Sequence, residues 1–234
     1  MSPWIPRAII VLVTAGIVGA IISISVGDGG PRAIEIEGAD ETIAFYADTA
    51  IPQDGARLGP ADAPVEIELF TDLRATQSAE YQVDVVRPLI EEYVKTDRAQ
   101  IGLRHRSVGA SQLSLPAVAA TAAGNQGRQW EFADLVLQNL DVAGPRGVDE
   151  DFLRDVANTL RGTTQDFDAE EWREDFASPA SEEQPRADSE LATELKLPAQ
   201  PALVITGPGG AETLVDAPSL ADARAAIERV SVTG

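Results

Sequence analysis

The stretch Val65-Glu-Ile-Glu-Leu-Phe-Thr-Asp-Leu-Arg-Ala-Thr-Gln-Ser78 decides how the rest of the chain is read. Its first half alternates, with Val65, Ile67 and Leu69 against Glu66 and Glu68, the period of two expected of a strand with one face buried. From Ser78 to Val94 the period becomes helical, placing Tyr81, Val85, Val86, Leu89, Ile90 and Tyr93 on one side. Thr76 or Ser78 is placed to cap the helix start, and Glu80 stands where a first-turn acid favours the dipole. Pro88 lies inside this helix and predicts a kink near Asp84.

Downstream, Gln100 to Val108 reads as the next strand, with Ile101, Leu103 and His105 on one face and Gly102, Arg104 and Arg106 on the other. His105, the only histidine, is expected as a half-buried strand residue with an ordinary hydrogen bond. Helices are predicted at Leu115 to Gln126, Gln129 to Asn139, Asp149 to Leu160 and Asp168 to Phe176. Phe152, Val156 and Leu160 recur every four residues, which core packing explains without a ligand. The same explanation serves for Trp130, Phe132, Trp172 and Phe176, with part of a partner surface as the alternative. Ser178 to Arg186 reads as an acidic loop, and Ala187 to Leu195 as one more helix. Pro201 to Thr206 and Glu212 to Val215 form a hairpin around Gly207-Pro-Gly-Gly210, and Ser219 caps a last helix that runs to Val230.

Several of these segments together resemble the DsbA-like branch of the thioredoxin fold. The resemblance rests on the opening strand and helix, on the lead-in Ile51-Pro-Gln-Asp-Gly-Ala-Arg-Leu-Gly-Pro-Ala-Asp-Ala-Pro-Val65, on LPAVAATAAGNQGRQWEFADLVLQN at residues 115–139, and on Leu197-Pro-Ala-Gln-Pro201-Ala. It implies an α/β thioredoxin domain over residues 58–232, with a helical insertion at about 111–195 between the second and third core strands. In that family an aspartate is followed, after two residues, by Cys-Pro-x-Cys. Here those four positions hold Ala75, Thr76, Gln77 and Ser78, and the whole chain contains no cysteine. Disulfide exchange proceeds by thiolate attack on sulfur, so the resemblance names a fold and removes the family's reaction. It also implies a cis-proline beside the old site, for which Pro201 is the candidate; an ordinary trans proline entering a strand is the plainer reading. Gln200 and Pro201 would then present backbone groups to an extended peptide, a pairing that needs no thiol. The alternative is a vestigial, packed groove. A hydroxyl nucleophile at Thr76 or Ser78 would need an aligned base and a third orienting group, and none is evident, so no catalytic residue is assigned.

Composition narrows the rest. With 18 basic and 38 acidic residues the chain carries a formal charge of −20, which repels phosphate backbones and argues against nucleic acid as a partner. One histidine and no cysteine leave no metal centre of the usual nitrogen and sulfur kind, and no cofactor motif is present. Ala8 to Val26 contains no charge over 19 residues, enough for a membrane-spanning helix behind a short cytoplasmic stretch at 1–7. Ser23-Ile-Ser25 offers the competing reading of a cleaved signal, and both readings export the remainder of the chain. Residues 27–57 read mostly as a linker, with a short edge strand or helix expected within Ala33 to Glu37 or Thr42 to Tyr46.

The sequence therefore leads to a single-pass, extracytoplasmic thioredoxin-like domain without redox activity. Its expected work is protein binding, chaperone-like holding or service as an accessory subunit, with exported or membrane proteins as partners. An enzyme of a non-thiol class on the same fold, or a structural subunit of a membrane complex, stands as the alternative.

Overall fold

Seven mostly apolar or acidic residues in alternation, Val65–Thr71, form the strand around which everything else is laid. The computed structural model describes residues 33–47, 51–106, 113–144, 147–199 and 201–232. The elements are α1 (Ala39–Ala47), β1 (Gln53–Asp54), β2 (Arg57–Leu58), β3 (Val65–Thr71), a long helix α2 over residues 76–94, and β4 (Ala99–His105). Helices α3 (Leu115–Gly124), α4 (Gln129–Gln138), α5 (Glu150–Thr163), α6 (Ala169–Phe176) and α7 (Ala180–Glu194) come next. Strands β5 (Ala202–Gly207) and β6 (Gly210–Leu214) and helix α8 (Leu220–Ser231) close the order. Among the described residues, α3 to α7 thus lie between β4 and β5, where the sequence predicts the insertion.

The sheet runs β1-β2-β4-β3-β5-β6, with β3 and β4 parallel and the other neighbours antiparallel. Ile67, Leu69, Ile101, Leu103, Leu203 and Ile205 share one large core with Leu89 and Ile90 of α2 and Ala226 and Ile227 of α8. The opposite face carries a smaller cluster of Phe70 and Ala202 beneath Ala192 and Leu197. Across that second face runs a chain of ion pairs. Arg57 bonds Glu66 and Glu68, and Arg104 bonds Glu68 and, at 3.1 Å, Asp188. Gly102 leaves room for it, since a Cβ there would stand 2.7 Å from the Glu68 carboxylate.

Several elements differ from the sequence reading. The stretch expected mainly as a linker contains α1 and the β1–β2 hairpin, which joins the sheet through β4. Thr42 and Tyr46 are buried, and the Tyr46 hydroxyl donates to Asp134 on α4 at 3.1 Å. Arg87 of α2 donates to the same Asp134 oxygen from Nε and Nη2, at 3.1 and 3.0 Å, and also reaches Thr42. Phe45 lies under both Arg87 and Lys95. Pro88 removes one amide from α2 and pushes on the carbonyl of Asp84; the helix answers with π-turns at Gln82–Val86 and Ile90–Val94. The expected acidic loop at Ser178 to Arg186 is instead helical from Ala180, because Ser181, Pro185, Asp188 and Ala192 supply a buried stripe at helical spacing. Trp130, Phe132 and Trp172 are core residues, Phe132 and Trp172 being stacked at 5.6 Å. The apolar segment Ala8–Val26 lies outside the described residues. Among the described residues no helix is long and apolar enough to cross a membrane.

The Asp134 cluster is the clamp that holds α1 to the domain. Asp134→Ala should leave Arg87 without its main partner and destabilise the fold by about 3 kcal/mol, read from urea unfolding. The paired change Arg87→Met with Asp134→Leu should recover most of that loss, because neither buried charge then remains.

Candidate functional site

The end of β3 sets the geometry. Thr71 pairs with His105 on one side, and on the other Phe70 pairs with Ala202, so the register carries Pro201 opposite Thr71. The two segments singled out from the sequence, Ala75–Ser78 and the Pro201 loop, therefore flank one strand end. Between strand and helix the chain makes a tight turn around Asp72. Its carboxylate accepts from Arg74 N, Nε and Nη2 at 2.8–3.0 Å, and its carbonyl accepts from Ala75 N at 3.1 Å. This turn delivers Ala75 in an extended conformation to the N-cap of α2.

Capping by Thr76 or Ser78 does not occur. Ala75 occupies the cap without a side-chain bond, and its carbonyl accepts from Ser78 N at 2.9 Å and Ala79 N at 3.3 Å. Thr76 and Gln77 face solvent, Ala75 is half-buried, and Ser78 is buried. Among the described residues the Ser78 hydroxyl has no hydrogen-bond partner, so none of them is aligned with it as the base a serine nucleophile needs. Gln200 lies outside the described residues, and with it the peptide bond that would make Pro201 cis or trans. Pro201 itself is buried, and its carbonyl accepts from Ala217 N at 2.8 Å. That bond is made by a left-handed pair, Asp216 and Ala217 at φ 62° and 53°, a conformation that costs non-glycine residues about 1 kcal/mol or more each. The same loop and the exposed side of α2 bound a shallow groove of about 340 Å³, lined by Gln77, Glu80, Tyr81, Asp84, Pro218 and Leu220 among others. Among the described residues no group of side chains is arranged to hold a metal ion.

Beneath this end of the sheet lies a buried polar pair that the sequence did not disclose. His105 is fully buried rather than half-buried, with Nε2 3.0 Å from Gln129 Nε2 and Nδ1 without a partner among the described residues. Burial pulls its pKa down to about 4, so the ring is neutral. Asp188 of α7 accepts from the His105 amide at 3.0 Å and from Arg104 Nη1 at 3.1 Å, yet burial still pushes its pKa up to about 6. The spacing of Asp188 with Ala192 was the available signal, hidden because an acid in an acidic chain reads as surface.

These two groups act in opposite directions on stability. His105 binds its proton less readily folded than unfolded, so its contribution is lost as pH falls from about 6.5 to 4. Asp188 binds its proton more readily folded, so its contribution is lost as pH rises from about 4 to 6. Relative to the unchanged protein, His105→Gln should lose about 2–3 kcal/mol of stability as pH rises from 4 to 6.5. Asp188→Asn should gain a similar amount over the same interval. Urea midpoints measured across that range check both; parallel curves for all three proteins would refute the assignment.

The comparisons with known proteins agree with this architecture. The thioredoxin family profile matches residues 52–228. The probable disulfide bond formation protein D of Bacillus anthracis is 26% identical over 152 residues, which is 64% of this chain and 69% of that protein. Among solved structures, alpha-DsbA1 of Wolbachia pipientis superposes with a TM-score of 0.61 at 15% identity, covering 78% of this chain and 94% of that one. BdbD of Bacillus subtilis in its oxidised form gives 0.60 at 15% identity, covering 77% and 97%. With the profile spanning the sheet and the helices inserted in it, this chain belongs to the thioredoxin family, as a DsbA-like member that has no active-site cysteines.

Proposed function

We propose that the protein is a redox-inactive binding module, held at the outer side of the cytoplasmic membrane, that grips extended segments of exported or membrane proteins without reacting with them. One observation carries the reading. The strand end, the helix start and the Pro201 loop stand side by side, with Thr76 and Gln77 at the surface and a groove next to them, although nothing in the chain can attack a disulfide. Backbone groups at such a strand end pair with an extended chain irrespective of side-chain chemistry. The uncharged stretch Ala8–Val26 supports the membrane location.

The protein should be silent in an insulin-reduction assay while slowing aggregation of a reduced, unfolded client at stoichiometric ratios. Failure to retard aggregation, together with no crosslinking of peptide to a photoreactive residue placed at Gln77, would sink the reading. Ala75→Cys with Ser78→Cys tests the geometry separately. Residues three apart in a first helical turn lie within the reach of a disulfide, one half-buried and one buried here. The doubly substituted protein should close an intramolecular disulfide under mild oxidant, its two free thiols falling to none, and should acquire measurable insulin-reducing activity.

A further inference from the structure

We infer that the groove beside the cleft selects partner segments that carry a lysine or arginine, through Glu80 and Asp84. The inference rests on the binding function proposed above and adds the chemistry of what is bound. Glu80 and Asp84 lie one turn apart on the exposed ridge of α2, and both line the groove. Ion pairs elsewhere absorb many of the acids that face a base, but neither of these two has a partner among the described residues. Between them stands Tyr81, 6% exposed, whose hydroxyl is buried without a hydrogen-bond partner among the described residues. Burial, and secondarily the Asp222 carboxylate, hold that hydroxyl protonated. Val85, Pro218 and Leu220 supply apolar wall.

This combination fits a long cationic side chain and little else. The methylene stem of lysine or arginine lies along the apolar wall while the charged head stays near water, the arrangement such side chains adopt on mixed surfaces. The head then meets two unneutralised carboxylates, and the Tyr81 oxygen offers an acceptor that no described residue uses. A glutamate or aspartate at the same place would meet like charge from Glu80 and Asp84. The groove adjoins Gln77, so an extended segment paired at the strand end would pass it within a few residues.

The test uses the full chain in nonionic detergent and fluorescein-labelled nine-residue peptides of identical Ser, Ala, Val and Thr background, differing at the central residue. Lysine and arginine peptides should bind about tenfold more tightly than the norleucine peptide at low salt, and the glutamate peptide more weakly than either. Glu80→Gln with Asp84→Asn should abolish the preference, so that the lysine, arginine and norleucine peptides bind alike. Glu190→Gln with Glu194→Gln, an exposed acidic pair on α7, removes the same charge elsewhere and should leave the preference intact. Equal loss from both double variants would assign the effect to the overall negative field and overturn the inference. Equal binding of all peptides would overturn it while leaving the binding function standing, and no binding of any peptide would remove both.

Discussion

Strand β3 is the constraint on which the molecule depends. Val65, Ile67 and Leu69 are at most 1% exposed, and the strand is hydrogen-bonded on both edges, parallel to β4 and antiparallel to β5. A strand so enclosed has no freedom to slide, and the chain beyond it emerges at a fixed point. That point is where the Asp72 turn starts α2, where His105 ends β4 and where Pro201 enters β5. The cleft is a by-product of closing the sheet. It persists whether or not sulfur stands at its rim, because the hydrogen bonds that shape it involve positions 75 to 78 only through backbone atoms.

Charge inside the fold follows a different logic from charge on its surface. Most acids of this chain are solvated, and their pairs with arginine contribute at most about 1 kcal/mol each. Asp134 and Asp188 are exceptions, buried and tied to Arg87 and Arg104. Each joins elements far apart in sequence: Asp134 fastens α1 to α2 and α4, and Asp188 fastens the end of the insertion to the sheet. In both, burial raises the carboxyl pKa despite the guanidinium alongside, so these contacts fix an arrangement more than they add net stability.

Much of the fold is legible in the residues alone. The alternation at Val65–Leu69, the helical face from Tyr81 to Tyr93, the hairpin around Gly207–Gly210 and the Ser219 cap all express local periodicity or turn chemistry, and each is where the sequence puts it. The order of elements then gives the topology. Less legible are features that depend on a partner distant in sequence. Tyr46 becomes a core residue only because Asp134 and Gln82 meet its hydroxyl, so residues 39–47 look like linker when read alone. The start of α7 is packed through serine, proline and aspartate, none of which registers as apolar. At the cleft, the degenerate positions are identifiable from the spacing after Asp72, whereas the pairing of His105 with Gln129 and Asp188 needs the folded coordinates.

The ion pairs of the second sheet face have a bearing on how the chain reaches its structure. Glu66 and Glu68 meet their arginines only when β2, β3 and β4 are in the observed register. A slip of one residue would turn both acids toward the apolar side and expose Ile67 and Leu69 to water. Misaligned strands are therefore penalised twice, by stranded charge and by lost burial, and during assembly the wrong pairings are unstable enough to dissolve and be tried again.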